Sequence, residues 1–179
     1  MIILRTNLLA AIAFGALTIV CVGQEEPEPL VLDVVDFSKL LPLLPAAPAD
    51  WTADAPDGST TDSAGTKITS VHRDYKKGEG ETGPTASISI LDSAANPDYV
   101  SATTSTWNLS TSTPEGYTKP LKIDDMPGFE TFENEGKHGT LWLMVAKRYV
   151  LQIETTGVEA KDLQAWLKRV DLKKLAAIK

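Results

Sequence analysis

Between Gly139 and Leu175 the alternation of apolar and polar positions is at its clearest. Leu141-Trp142-Leu143-Met144-Val145-Ala146 and Tyr149-Val150-Leu151-Gln152-Ile153 flank the basic pair Lys147-Arg148, which predicts a β-hairpin. Past Thr155-Thr156-Gly157 the period lengthens from two to about 3.6 residues. Leu163, Trp166, Leu167 and Val170 then share one face of a helix that runs on to about Leu175, where Lys173 and Lys174 favour its negative C-terminal end. A hairpin with a helix laid over it makes a two-layer core.

Upstream, Trp51 opens the domain in a short strand that stops at the turn chemistry of Pro56-Asp57-Gly58. After a polar stretch, Lys67, Thr69, Val71, Arg73 and Tyr75 fall on one side of a strand. The glycine-rich segment 76–84 lacks the Gly-Lys-Ser/Thr ending of a phosphate loop and reads as a hairpin connection into a strand over 85–91, with Ala86, Ile88 and Ile90 facing inward. Asn96-Pro97-Asp98 starts a helix, with an N-cap, a proline at the first helical position and an acid in the first turn. That helix is expected to reach about Trp107, and 108–116 to be a loop. A strand over 117–123 carries Pro120 and belongs at an edge, and Asp124-Asp125-Met126-Pro127-Gly128 turns into a strand in which Phe129, Thr131 and Glu133 alternate with Glu130 and Phe132. The expected order is two or three strands, a helix, four strands and a helix. Short connections make the strands antiparallel, so the predicted fold class is α+β, an antiparallel β-sheet packed by helices over 51–179.

The first 23 residues read as a secretory signal peptide. Arg5 gives a positive start, 8–22 is uncharged and mostly apolar, and Cys21-Val22-Gly23 offers small side chains for cleavage before Gln24. Lipid anchoring through Cys21 is the less favoured alternative, because Val20 stands where a small residue is wanted. Cleavage before Gln24 would remove the one cysteine, so the mature chain would need no disulfide and would have no membrane span. Residues 24–50 read as a proline-rich linker, with a helical turn or two over 36–41 before Pro42 and leucines that dock on the domain. The net charge of −7 argues against nucleic acid as a partner.

The later half, with the strand at 117–123, Met126-Pro127-Gly128-Phe129-Glu130, the hairpin 141–153 and the closing helix with Leu163, Trp166 and Leu167, resembles the Mog1/PsbP-like fold. That resemblance, at the level of pattern, implies an α/β/α sandwich and a non-catalytic binding or accessory module.

The chemistry-bearing residues are few. No serine sits in Gly-x-Ser-x-Gly, and His72 and His138 are the two conventional bases available. The alternative to a binding module is therefore a hydrolase using one of them with neighbouring carboxylates. Glu133, Glu135 and His138, with Asp124-Asp125 nearby, contain possible metal ligands, yet their spacing matches no calcium loop and no His-Glu-x-x-His helix, so no metal and no cofactor is expected. Four tryptophans, at 51, 107, 142 and 166, either fill the core or line a groove. The expected contact surface combines Trp107, Tyr117, Trp142 and Trp166, for a protein partner or a small apolar ligand.

Overall fold

Four rows of side chains run across the sheet and explain its architecture. One joins Arg73, Ile88, Ile153, Leu141, Glu130 and Lys119 on six successive strands; the next joins Val71, Ile90, Leu151, Leu143, Gly128 and Leu121. Rows of Thr69, Asp92, Tyr149 and Val145, and of Tyr75, Ala86, Thr155, Gly139, Phe132 and Tyr117, lie on either side. Side chains alternate between faces with a period of two, so all four rows share one face. Ile88, Ile90, Leu141, Leu143, Leu151 and Ile153 are fully buried on it.

The computed structural model describes residues 33–63, 66–80, 82–93 and 97–179. They belong to a unit spanning Val31–Lys179. The expected leader, Cys21 and the expected N-cap Asn96 lie outside the described residues. The strands are β1 (Trp51–Ala53), β2 (Asp57–Ser63), β3 (Thr66–Lys77), β4 (Thr85–Asp92), β5 (Thr111–Thr113), β6 (Gly116–Ile123), β7 (Met126–Glu133), β8 (His138–Val145) and β9 (Tyr149–Thr156). They form one antiparallel sheet in the order β1-β3-β4-β9-β8-β7-β6-β5, with β2 also paired to β3. The helices are short: α1 (Phe37–Leu40), α2 (Pro97–Thr104), α3 (Lys161–Leu167) and α4 (Leu172–Ala177).

This corrects the expected fold class. The described residues form a β-rich, nine-stranded antiparallel sheet with a few short helices, and an α+β or α/β/α sandwich does not describe them. The reason lies in the second face. There β3, β4 and β9 carry Ser70, His72, Asp74 and Lys76, then Ser87 and Ser89, then Gln152 and Glu154. Such a surface has nothing apolar to be covered by a helical layer. Among the described residues an apolar patch forms on this face around Trp107, with Met144 and Val150 buried and Leu91, Val100, Phe129 and Trp142 packed against them.

Two strands were not anticipated. β2 and β5 are exposed edge strands rich in Ser and Thr, with no apolar alternation. The closing helix is also broken in two, because Asp171 leaves the helical conformation and its carboxylate accepts from the Lys174 N–H, capping α4. Helix α3 lies close on the sheet where Gly139 leaves room: a Cβ there would meet Leu163 Cδ1 at 2.8 Å.

The segment before β1 packs on the same core. Asp36 caps α1, a 3-10 turn over Leu41–Leu43 passes through Pro42, and Leu40, Leu43 and Leu44 are buried. Asp92, fully buried, pins this strap. Its Oδ2 accepts the Val35 N–H at 2.8 Å and Arg148 Nη2 at 2.7 Å, while Arg148 Nε reaches Oδ1 at 2.9 Å and Nη2 also donates to the Asp33 carbonyl. Tyr75 donates to the Pro45 carbonyl at 2.8 Å.

Arg148 leaves a strained turn. Ala146 and Lys147 both have φ of 54°, and the Arg148 N–H closes on the Val145 carbonyl at 3.1 Å, the arrangement of a type I′ turn that Asn-Gly suits better. Replacing the pair by Ala146→Asn with Lys147→Gly is expected to raise the unfolding free energy by about 1 kcal/mol, read from the urea midpoint. Arg148→Ala removes the cation paired with the buried Asp92 carboxylate and is expected to cost about 3–5 kcal/mol on the same measurement.

Candidate functional site

Glu130 is the buried charge around which the candidate site is assembled. Its row continues from Ile153 and Leu141, so strand geometry sends its side chain into the core face, where it is 2% exposed. A carboxylate in such a place has to be paired and hydrogen-bonded. Two elements besides its own strand supply the partners. From β6 the Tyr117 hydroxyl donates to Oε1, and Lys119 Nζ lies 3.0 Å from the same oxygen. From α3, Gln164 Nε2 donates to Oε2 at 2.6 Å. Lys119 Nζ also sits 4.6 Å from the centroid of the Tyr117 ring, and that ring stacks on Phe132 with centroids 6.1 Å apart. The result is a polar clamp that holds α3 against the β6–β7 hairpin.

Next to the clamp, the tip of that hairpin and the helices α3 and α4 enclose a groove of about 460 Å³. Ile123 and Met126 line one side; Leu167, Val170, Leu172 and Ala176 line the other. Leu172 and Ala176 are four residues apart and share a face of α4. Gln164 is the uncharged polar side chain in the lining, and Asp124, Lys168, Asp171 and Lys173 supply charges. Apolar walls with a few placed polar groups and a volume of several hundred Å³ are the usual make-up of a small-molecule site.

The four aromatic residues expected to share a groove are distributed over both faces. Trp107 and Trp142 belong to the patch on the second face. Trp166 is in the main core, edge-on to Trp51 at 5.1 Å and tilted against Tyr75 at 4.6 Å. Tyr117 is on the core face too, but it is engaged with Glu130 and Phe132. A cavity of about 530 Å³ beside Trp107 is lined largely by β6 and β7 at Pro120–Lys122 and Pro127–Gly128, and Tyr117 borders a different one rich in threonine and glutamate. Strand alternation separates residues that their spacing in the chain left unassigned to a face.

The two histidines stand apart from any catalytic arrangement. His72 is exposed and makes no side-chain hydrogen bond among the described residues. His138 Nε2 lies 3.7 Å from Glu154 Oε1, outside hydrogen-bond reach, and its Nδ1 is 3.3 Å from the Thr156 hydroxyl. Neither lines the apolar groove. Among the described residues, no three of the His, Asp and Glu side chains converge as metal ligands, Glu133, Glu135, Asp124 and Asp125 included. No helix among them is long and apolar enough to cross a membrane.

Sequence reasoning did not single out Glu130, Gln164 or the groove. The signal for Glu130 was its position two residues before Phe132, which puts both on one face of the strand. For the groove, Asp171 followed by Leu172 and Leu175 marked a second, capped amphipathic turn. No family model, curated protein or solved structure matches the chain.

Burial first, then the hydrogen bond to Glu130 and its charge, push the Tyr117 hydroxyl well above its ordinary value of 10.0. The folded state thus favours the neutral phenol. Its contribution to stability is complete below pH 10.0 and is lost as the pH rises above that toward the folded-state value. Tyr117→Phe is therefore expected to make the alkaline fall of stability shallower, with Tyr75, raised by burial to about 12, supplying part of what remains. At neutral pH the same variant should lose about 1.5–3 kcal/mol, the worth of a hydrogen bond to a charged group, measured by urea unfolding across a pH series.

Proposed function

We propose that this chain is a secreted or periplasmic binding module without catalytic activity of its own, and that the groove between the β6–β7 tip and α3–α4 holds a small apolar ligand. One observation carries the reading: the groove's walls are apolar on both sides and it lies next to a polar clamp. Export is supported by the positive start, the uncharged run over 8–22 and the small residues before Gln24. The net charge of −7 supports a partner other than nucleic acid. A binding role rather than hydrolysis is supported by the placement of His72 and His138 away from the groove.

The test uses the neutral apolar dye Nile red with the purified chain beginning at Gln24. Its emission should rise to saturation at one site per chain. Ala176 is exposed on α4, so Ala176→Trp fills the groove without disturbing the core. That variant should weaken dye binding at least about tenfold, a loss of about 1.4 kcal/mol, with the thermal midpoint unchanged. Equal binding by the variant, or emission that never saturates, overturns the assignment. So does a dimer of the native chain, detected by light scattering, that Ala176→Trp converts to monomer, because the groove would then be a contact between copies.

A further inference from the structure

Gln164 belongs to both the clamp and the groove, and this double membership sets the polarity of the groove. Its Nε2 donates to Glu130 Oε2 at 2.6 Å. An ionised carboxylate can only accept, and the Lys119 ammonium 3.0 Å from the other oxygen fits that ionised form. The amide therefore cannot turn over without setting its carbonyl against a carboxylate. With the nitrogen committed inward, the Gln164 Oε1 is left as the outer atom of the amide. Among the described residues no side chain or backbone N–H donates to it, and it is not among the buried polar atoms lacking a partner. Gln164 is one of the residues that line the groove.

We infer that the groove selects a ligand with an apolar body and a hydrogen-bond donor, such as an aliphatic alcohol, over a carboxylate or an ester of the same length. The inference rests on the groove being the binding site, as proposed above, and names the chemical class of its occupant. An acceptor-only head placed against Gln164 Oε1 leaves two lone-pair dipoles facing each other, whereas a hydroxyl donates to it. The orientation is set by Glu130, which lies behind the amide and need not touch the ligand. Glu130 is thus a positioning residue, and Gln164 is the contact.

Displacement of Nile red by octanol, methyl octanoate and octanoate tests this. In the native chain octanol is expected to displace the dye at a concentration about tenfold lower than the ester or the acid, allowing for their partition into hydrocarbon. Gln164→Leu should abolish the preference for octanol over the ester, each displacement being scaled to that variant's own dye affinity. Glu130→Gln, nearly isosteric, gives the Gln164 amide a neighbour that can donate as well as accept, and it should narrow the preference, measured relative to that variant's own dye affinity. A preference for ester or acid in the native chain, or a preference for octanol that survives Gln164→Leu, overturns the inference while dye binding leaves the groove assignment standing. Failure of dye and all three octyl compounds to bind the folded native chain overturns the groove assignment, and the inference falls with it.

Discussion

Strand register is the constraint on which the rest of this structure depends. Once Ile88, Ile153 and Leu141 are aligned on three adjacent strands, every other position in β3 through β9 is committed to a face. A slip of one residue would turn fully buried aliphatic side chains such as Ile88, Leu141 and Ile153 outward, at roughly 1.5–3 kcal/mol each. Extending the same row places Glu130 in the interior, although nothing about a glutamate favours that position. Its partners then follow from geometry: Lys119 is its direct neighbour on β6, Tyr117 is two residues away on the same face, and Gln164 comes down from α3. The site adjoins the core because the register leaves a charge at the edge of that core.

The two faces of the sheet are managed differently. The core face receives α1, α3, α4 and the strap before β1, whereas the second face presents mainly polar side chains, with α2 near the patch around Trp107. A sheet open to water on one side also has edges to protect. On β6, β5 pairs only with Gly116–Thr118, and the remaining edge carries Lys119, Pro120 and Lys122. Proline has no N–H to offer and lysine resists close approach, so this stretch is a poor template for another strand. On the opposite edge β2 is short of apolar residues and carries Asp57 and Asp62.

What could be read from the chain follows the same division. β3, β4, β8 and β9 were legible as strands, and in β4 the inward-facing Ala86, Ile88 and Ile90 as well, because there apolar and polar positions alternate strictly up to Ile90. β2 and β5 were not, since strands of Thr, Ser and Asp with neither face buried carry no periodic signal and are held by pairing to a neighbour. The break between α3 and α4 was missed because Val170 and Leu175 continue the apolar stripe, while the cap at Asp171 depends on local hydrogen bonding rather than hydrophobicity. The site was less legible than the fold. Trp107, Tyr117, Trp142 and Trp166 drew attention as large aromatic residues, yet which of them meet depends on strand parity and on a crossover between distant strands. Gln164 is inconspicuous in the sequence, and its importance comes from a carboxylate 34 positions away.

Among the described residues the core face holds two buried carboxylates, and their placement has a common logic. Asp92 lies near one end of the sheet and binds the strap through Val35 and the β8–β9 turn through Arg148. Glu130 lies on the β7 side and binds β6 through Tyr117 and Lys119, and α3 through Gln164. In both cases an element that already packs apolar side chains on the sheet is also fastened to it by charge-assisted hydrogen bonds. Burying a charge costs several kcal/mol in desolvation, so an apolar pair of the same volume would stabilise the fold as well or better. What an apolar pair cannot supply is direction. A carboxylate dictates which atom of each partner points inward, and at Gln164 it takes the amide nitrogen.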